Sequence, residues 1–292
     1  MNTALHRFLL IVLSLSALNS LLRAAEPALP AVPEVLKPLA ARVSSNKGVL
    51  TLSLNSDQPI TDEQWTAITA LQAKSYNFGG KCFDDTAITK LVALNPEALN
   101  LGHSEITDVG AMKFAEMKSL KILRMSHTDR LTPKSASALA DHPALEVFSN
   151  DGKFGIGGME QISTSKHLQN VTLQHGVSSD ANVAFLAKHP ALEVLKLWPS
   201  GTAALTDKAI PSLASIPNLK DLTLELTVFT YEGGLKHLKD APKLATLNLN
   251  DVALSEEDLA KLKADLPNVT IKFTPMKPEY RAKWDAWAAQ KK

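Results

Sequence analysis

The sequence predicts an α/β solenoid of about ten strand units, curved, with parallel strands on its concave face and short helices on its convex face. Two recurring patterns predict it. The first is Leu-x-x-Leu-x-Leu, complete at Leu192, Leu195 and Leu197, at Leu219, Leu222 and Leu224, and at Leu244, Leu247 and Leu249. Substituted copies stand at Leu168, Val171 and Leu173, at Leu120, Leu123 and Met125, and at Leu145, Phe148 and Asn150. The outer units keep only the last two positions, as Leu52 and Leu54, Tyr76 and Phe78, Leu99 and Leu101, and Ile271 and Phe273. Residues two apart on a strand share a face, so each pair marks the buried side of one strand. The step is about 24 residues, long enough for one strand and one short helix.

The second pattern follows the strands by about a dozen residues: Ile60-Thr61-Asp62, Ile106-Thr107-Asp108, Leu131-Thr132-Pro133, Leu205-Thr206-Asp207 and Leu254-Ser255-Glu256. These are helix starts. A Ser or Thr cap accepts from exposed first-turn amides, an acid there complements the helix dipole, and Pro133 lacks an amide that would go unpaired. Apolar residues then recur at helical spacing, as in Ile210, Leu213 and Ala214 or Leu235 and Leu238.

Taken in chain order, residues 1–25 read as a signal peptide: Arg7, an apolar stretch from Phe8 to Leu22, then Ala24 and Ala25 as small residues at a cleavage site. An uncleaved anchor is the alternative, although the stretch is shorter than a membrane span requires. Residues 26–48 form a linker, Pro27 to Pro33, and an amino-terminal cap with a short helix over Glu34–Val43. Residues 49–274 are the solenoid, and residues 275–292 a carboxyl-terminal capping helix with Tyr280, Trp284 and Trp287 on one face. That helix closes the core or docks a partner.

On these motifs the chain resembles the leucine-rich-repeat family, in its bacterial secreted type with helix starts of the form Ile-Thr-Asp-x-Gly, here Ile106-Thr107-Asp108-Val109-Gly110. The resemblance covers roughly residues 49–274. It implies a noncatalytic binding module whose concave face recognises a protein, peptide or glycan. The chain departs from the family where many members carry Asn, having Ser104, Thr128, Lys153, Gly176, Ser200, Thr227 and Val252 instead.

Ten parallel strands at about 4.8 Å spacing make a concave face roughly 43 Å long, suited to an extended partner. Its exposed positions include Ile122, Arg124, Val147, Val194, Lys196 and Asp221, with Trp198 just beyond a strand. Ile122, Val147 and Val194 turn branched apolar groups outward, either as a contact patch or because β-branched residues favour strands. His103, His127 and His175 share one repeat position, and stacking places His103 and His127 about 5 Å apart. No carboxylate matches them in the repeat, so no metal site is expected, and Gly152 separates His175 from the other two. His142, His167, His189 and His237 fall at positions expected to be solvated.

Lys and Arg total 31 against 30 for Asp and Glu, which gives no field to attract nucleic acid. The single Cys82 precludes an intrachain disulfide and reads as a buried hydrophobe. Neither His-Glu-x-x-His nor Gly-x-Ser-x-Gly is present. The expected protein is therefore secreted or periplasmic, free of cofactors and not an enzyme. A structural envelope component docking through its last helix, or an enzyme using the histidines, are the other classes. The Gly-rich stretch Asp151 to Gly158 is expected as an irregular turn.

Overall fold

The computed structural model describes residues 28–151, 156–199 and 205–289. The segment read as a signal peptide lies outside them, as do residues 152–155 of the Gly-rich stretch. Eleven strands form one sheet in chain order. They are β1 (Arg42–Asn46), β2 (Val49–Asn55), β3 (Ser75–Gly79), β4 (Ala98–Gly102), β5 (Ile122–Ser126) and β6 (Val147–Asn150), then β7 (Asn170–Gln174), β8 (Val194–Trp198), β9 (Asp221–Glu225), β10 (Thr246–Val252) and β11 (Thr270–Pro275). β2 to β11 are parallel and carry the ten strands that the repeat predicts.

The register turns the repeat into two core rows. Leu52, Tyr76, Leu99, Leu123, Phe148, Val171, Leu195, Leu222 and Leu247 stack through neighbouring strands and are all buried. Leu54, Phe78, Leu101, Met125, Asn150, Leu173, Leu197, Leu224 and Leu249 make the second row, in which Asn150 replaces an apolar residue and is itself buried. Helical segments on the other side close the core with residues such as Ile88, Phe114, Leu139, Val183, Leu213 and Leu238.

The predicted caps are in place. Thr61 forms a capping box with Gln64, and Thr107, Thr132, Thr206 and Ser255 each accept a first-turn amide. The acid of the motif does more than complement a dipole. Thr107 donates its amide to Asp85 Oδ1 at 2.8 Å and its hydroxyl to Oδ2 at 2.6 Å, so the cap of one unit is tied to an acid of the unit before. The same pair of bonds links Thr132 to Asp108, Thr206 to Asp180 and Thr230 to Asp207. Gly110 donates to Asp85 Oδ1 at 3.0 Å, and a Cβ there would lie 2.3 Å from that oxygen. The Gly of the motif is thus required by close approach. Pro133 stands where the acid should be and carries no carboxylate to accept from a neighbouring cap.

Both ends depart from expectation. The helix expected over Glu34–Val43 is a 3-10 turn that stops at Leu39, burying Leu36 and Leu39. Arg42–Asn46 is instead an antiparallel strand on β2, turned by Lys47 and Gly48, both at positive φ as a two-residue hairpin requires. Its exposed polar residues blunt the sheet edge. The carboxyl-terminal helix Pro278–Ala289 buries no residue completely. Tyr280, Trp284 and Trp287 of that helix are half-buried, and β11, which precedes it, leaves Ile271 and Phe273 half-exposed. The irregular turn expected at Asp151 to Gly158 gives way to helix by Ile156.

Candidate functional site

The exposed residues of each strand alternate with the two core rows, so every unit contributes fixed positions to the sheet surface. One row along the strand centres reads Ser53, Asn77, Asn100, Arg124, Ser149, Thr172, Lys196 and Thr223. At its amino-terminal end the row is a directed hydrogen-bond chain. Arg124 Nη1 meets Asn100 Oδ1 at 3.5 Å, Asn100 Nδ2 donates to Asn77 Oδ1, and Asn77 Nδ2 donates to Ser53 Oγ at 3.3 Å. Each link fixes an amide and leaves it a further N–H or lone pair for a ligand.

Over this chain lies a hollow of about 440 Å³, within the range of small-ligand sites. Its polar lining comes from Asn55, Asn77, Asn100, Arg124, Ser149 and Gln174, with Asp151 at one side. Gly79 and Gly102, paired in register, create the space, since the equivalent positions on β5, β7 and β8 are Ser126, Gln174 and Trp198. Leu54, Phe78, Leu101 and Met125 form the floor but belong to the buried core.

The residues after Gly102 and Ser126 form a rim. His103 and His127 stack with ring centroids 4.3 Å apart, close to the spacing expected from the repeat. His175 approaches His127 edge-on at 6.5 Å, and Trp198 lies 5.6 Å from His175. Four rings therefore run along one edge of the sheet, and the separation expected at Gly152 does not isolate His175. A carboxylate also reaches the row, contrary to expectation. Asp151 Oδ1 accepts the His127 backbone N–H at 2.6 Å, and Oδ2 lies 3.3 Å from Nδ1. The Asp151 side chain is 6% exposed while the His127 ring is 55% exposed, so the acid orients a ring whose other nitrogen faces outward. Among the described residues no group of three His, Cys, Asp or Glu side chains is placed to hold a metal ion.

The repeat sets the backbone conformation of this rim, as it does at Leu226 and Asp251, with φ of 53° and 48°, in later units. His103, His127 and His175 have φ of 53°, 52° and 52°, in the left-handed region where Gly is free and a side chain costs about 1 to 2 kcal/mol. Gly80 occupies the matching position in the unit before His103.

The other sequence-derived candidates are spread more widely. Ile122 and Val147 are adjacent in register and half-buried, but Asn170 intervenes before Val194, so the apolar patch is two residues and an outlier. Lys196 pairs with Glu225 at 3.2 Å, and Asp221 sits beside Val194. Arg124 is the one candidate inside the hollow. Asn77, Asn100 and Gln174 escaped sequence reading, although each follows a core residue by one position. Asp151 escaped because the irregular unit hides its alignment with Ser126.

Two further histidines depart from the sequence reading. His142 and His189, expected in solvent, are 2% and 1% exposed. His142 Nδ1 accepts the Ala144 N–H at 3.3 Å while Nε2 faces the Met117 carbonyl at 3.1 Å, which fixes the neutral form with its proton on Nε2. Burial pushes both imidazoles below the ordinary histidine range. Burial, with Asp57 nearby, pushes the Cys82 thiol up to about 11.

Residues 97–115 match the model of the family described as Leucine Rich repeat. The fold is a leucine-rich-repeat solenoid. No curated protein matches the chain. Among solved structures, a Bacteroides fragilis protein is 17% identical with a TM-score of 0.48, covering 70% of this chain and 66% of its own. A chain of the Drosophila Toll–Spatzle complex is 8% identical with a TM-score of 0.46, covering 76% and 36%. An internalin from Listeria monocytogenes is 16% identical with a TM-score of 0.42, covering 81% and 85%. The solenoid thus spans just under two thirds of the Bacteroides protein and about a third of the Toll-complex chain. Among the described residues no helix is long and apolar enough to cross a membrane.

Proposed function

We propose that this leucine-rich-repeat solenoid is an exported, noncatalytic binding module that recognises a protein, peptide or glycan on its concave face. The observation that carries the reading is the hollow over β2 to β7, lined by exposed polar side chains, with a row of four aromatic rings running beside it along the edge of the sheet. Ile122, Val147, Val194, Lys196 and Asp221 extend the same face beyond the hollow. Solenoids bind along such faces because successive units present side chains at fixed spacing.

Immobilised glycan and peptide arrays probed with the purified protein test this. Binding should disappear in folded Arg124→Glu and Lys196→Glu variants and survive in Lys90→Glu, which lies on a helix away from the sheet. Binding that ignores the two concave substitutions would sink the proposal. Export rests on residues 1–25: the chain expressed with them should be recovered outside the cytoplasm, with a new amino terminus at Ala25 or Glu26.

A second reading, docking in an envelope assembly through Pro278–Ala289, draws on the half-exposed Tyr280, Trp284 and Trp287. It predicts that deleting 278–292 abolishes envelope association while leaving concave-face binding intact.

A further inference from the structure

Resting on that binding reading and deepening it, we propose that the hollow over β2 to β7 is a subsite for an acidic saccharide, with Arg124 taking a carboxylate and Asn77, Asn100 and Gln174 taking ring hydroxyls.

Charge comes first. The neighbouring basic residues of the sheet are already paired: Lys196 with Glu225 at 3.2 Å, Lys121 with Glu97 at 4.0 Å and Lys220 with Glu193 at 2.8 Å. Arg124 is exposed and, among the described residues, has no carboxylate within ion-pair distance, its one bond being to the neutral Asn100 amide. A guanidinium offers five N–H donors in a fork that matches a carboxylate, so most of its capacity stands open to the hollow. Asp151 is the acid of the lining, yet its side chain is 6% exposed and its oxygens are engaged by His127. The accessible charge is therefore positive.

The rest of the lining selects the scaffold that carries the anion. The chain from Arg124 through Asn100 and Asn77 to Ser53 sets donors and acceptors alternately about one strand spacing apart, roughly 4.8 Å. Sugar hydroxyls, each both donor and acceptor, fit such an array. A protein partner would need an apolar anchor in a desolvated pocket, and the apolar lining residues of the hollow are buried core rather than exposed side chains. His103 and His127, which follow the lining residues Gly102 and Ser126, stack on each other and so turn ring edges outward beside the hollow, where their nitrogens can meet the hydroxyls of a sugar ring seated there. Gly79 and Gly102 leave room for it.

Calorimetric titration of the full chain tests the proposal with trimers of galacturonate and of glucuronate, a neutral galactose trimer, and a peptide of three aspartates. At least one uronate trimer should bind, with the neutral trimer and the peptide weaker by about tenfold or more. Arg124→Gln should weaken uronate binding about 10- to 100-fold, the loss of a hydrogen bond to a charged group, with an unchanged melting temperature. Gly102→Leu, whose Cβ would meet nothing closer than the Ser126 hydroxyl at 3.2 Å, should fill the hollow and abolish binding while the protein stays folded. Equal binding of the neutral trimer, tighter binding of the peptide, or no uronate binding would each overturn the proposal. In the last two cases, array binding that still depends on Lys196 would show the concave-face reading to stand by itself.

Discussion

At His103, His127 and His175 the backbone sits near φ of 52°, a conformation the repeat imposes whatever the side chain. Glycine would relieve the steric conflict between Cβ and the backbone, so His103→Gly and His127→Gly should melt no lower than the wild type. If the rim works as proposed, the same variants should lose saccharide binding, separating stability from function in one titration series. The buried hydroxyls of Ser104, Thr128 and Thr227 tell a different story. They occupy one repeat position, three after the second core residue of each strand, and none has a hydrogen-bond partner among the described residues. An unsatisfied buried hydroxyl is destabilising, so Thr128→Val and Thr227→Val should be neutral or should raise stability by about 1 kcal/mol in urea unfolding.

His142 and His189 link residue chemistry to pH. In the unfolded chain both take up protons near the ordinary value of 6.5, whereas burial in the fold holds them neutral to lower pH. Below about 6.5 the unfolded state therefore binds more protons, and stability should fall as pH is lowered through that window and be fully present above it. Urea midpoints at pH 7.5 and pH 5.5 measure this. The difference should shrink in a His142→Gln, His189→Gln double variant, and an equal difference in that variant would reject the assignment.

Among the elements, the helix starts couple one unit to the next. Asp85 receives the Thr107 amide and hydroxyl and the Gly110 amide. Removing it in Asp85→Ala leaves three donors without their charged acceptor and should cost about 2 to 3 kcal/mol, more than loss of a dipole contact alone. Gly110→Ala should be destabilising even with Asp85 present, since its Cβ would overlap the carboxylate, and much less so in the Asp85→Ala background. A double-mutant cycle by urea unfolding reads that coupling. The strands contribute through burial: Leu195, wholly buried in the first core row, should lose about 3 kcal/mol on truncation to Ala.

For the whole molecule, stability in a solenoid is the sum of unit stabilities and nearest-neighbour contacts. The carboxyl-terminal helix adds little to that sum, because none of its residues is buried. Deleting residues 278–292 should lower the melting temperature by only a few degrees, a change consistent with about 1 kcal/mol in a protein of this size. A collapse of the fold would instead make the helix an essential cap.

The repeat period, the core rows and the helix caps were legible in the sequence because each depends on residues a few positions apart: alternation along a strand, or a Thr two or three residues from the amide it accepts. The ten strands and their buried pairs follow from that local rule, and so does the close approach of His103 and His127, since one repeat step carries a residue to its neighbour on the next strand. What the tertiary structure decided lies where units with unlike side chains meet. The chain from Arg124 to Ser53 and the Asp151 carboxylate under His127 join residues roughly one repeat apart that obey no shared pattern. Two glycines on adjacent strands become a hollow only when register sets them side by side. A period specifies which positions face one another, but the chemistry at each meeting depends on two particular side chains, their reach and their burial.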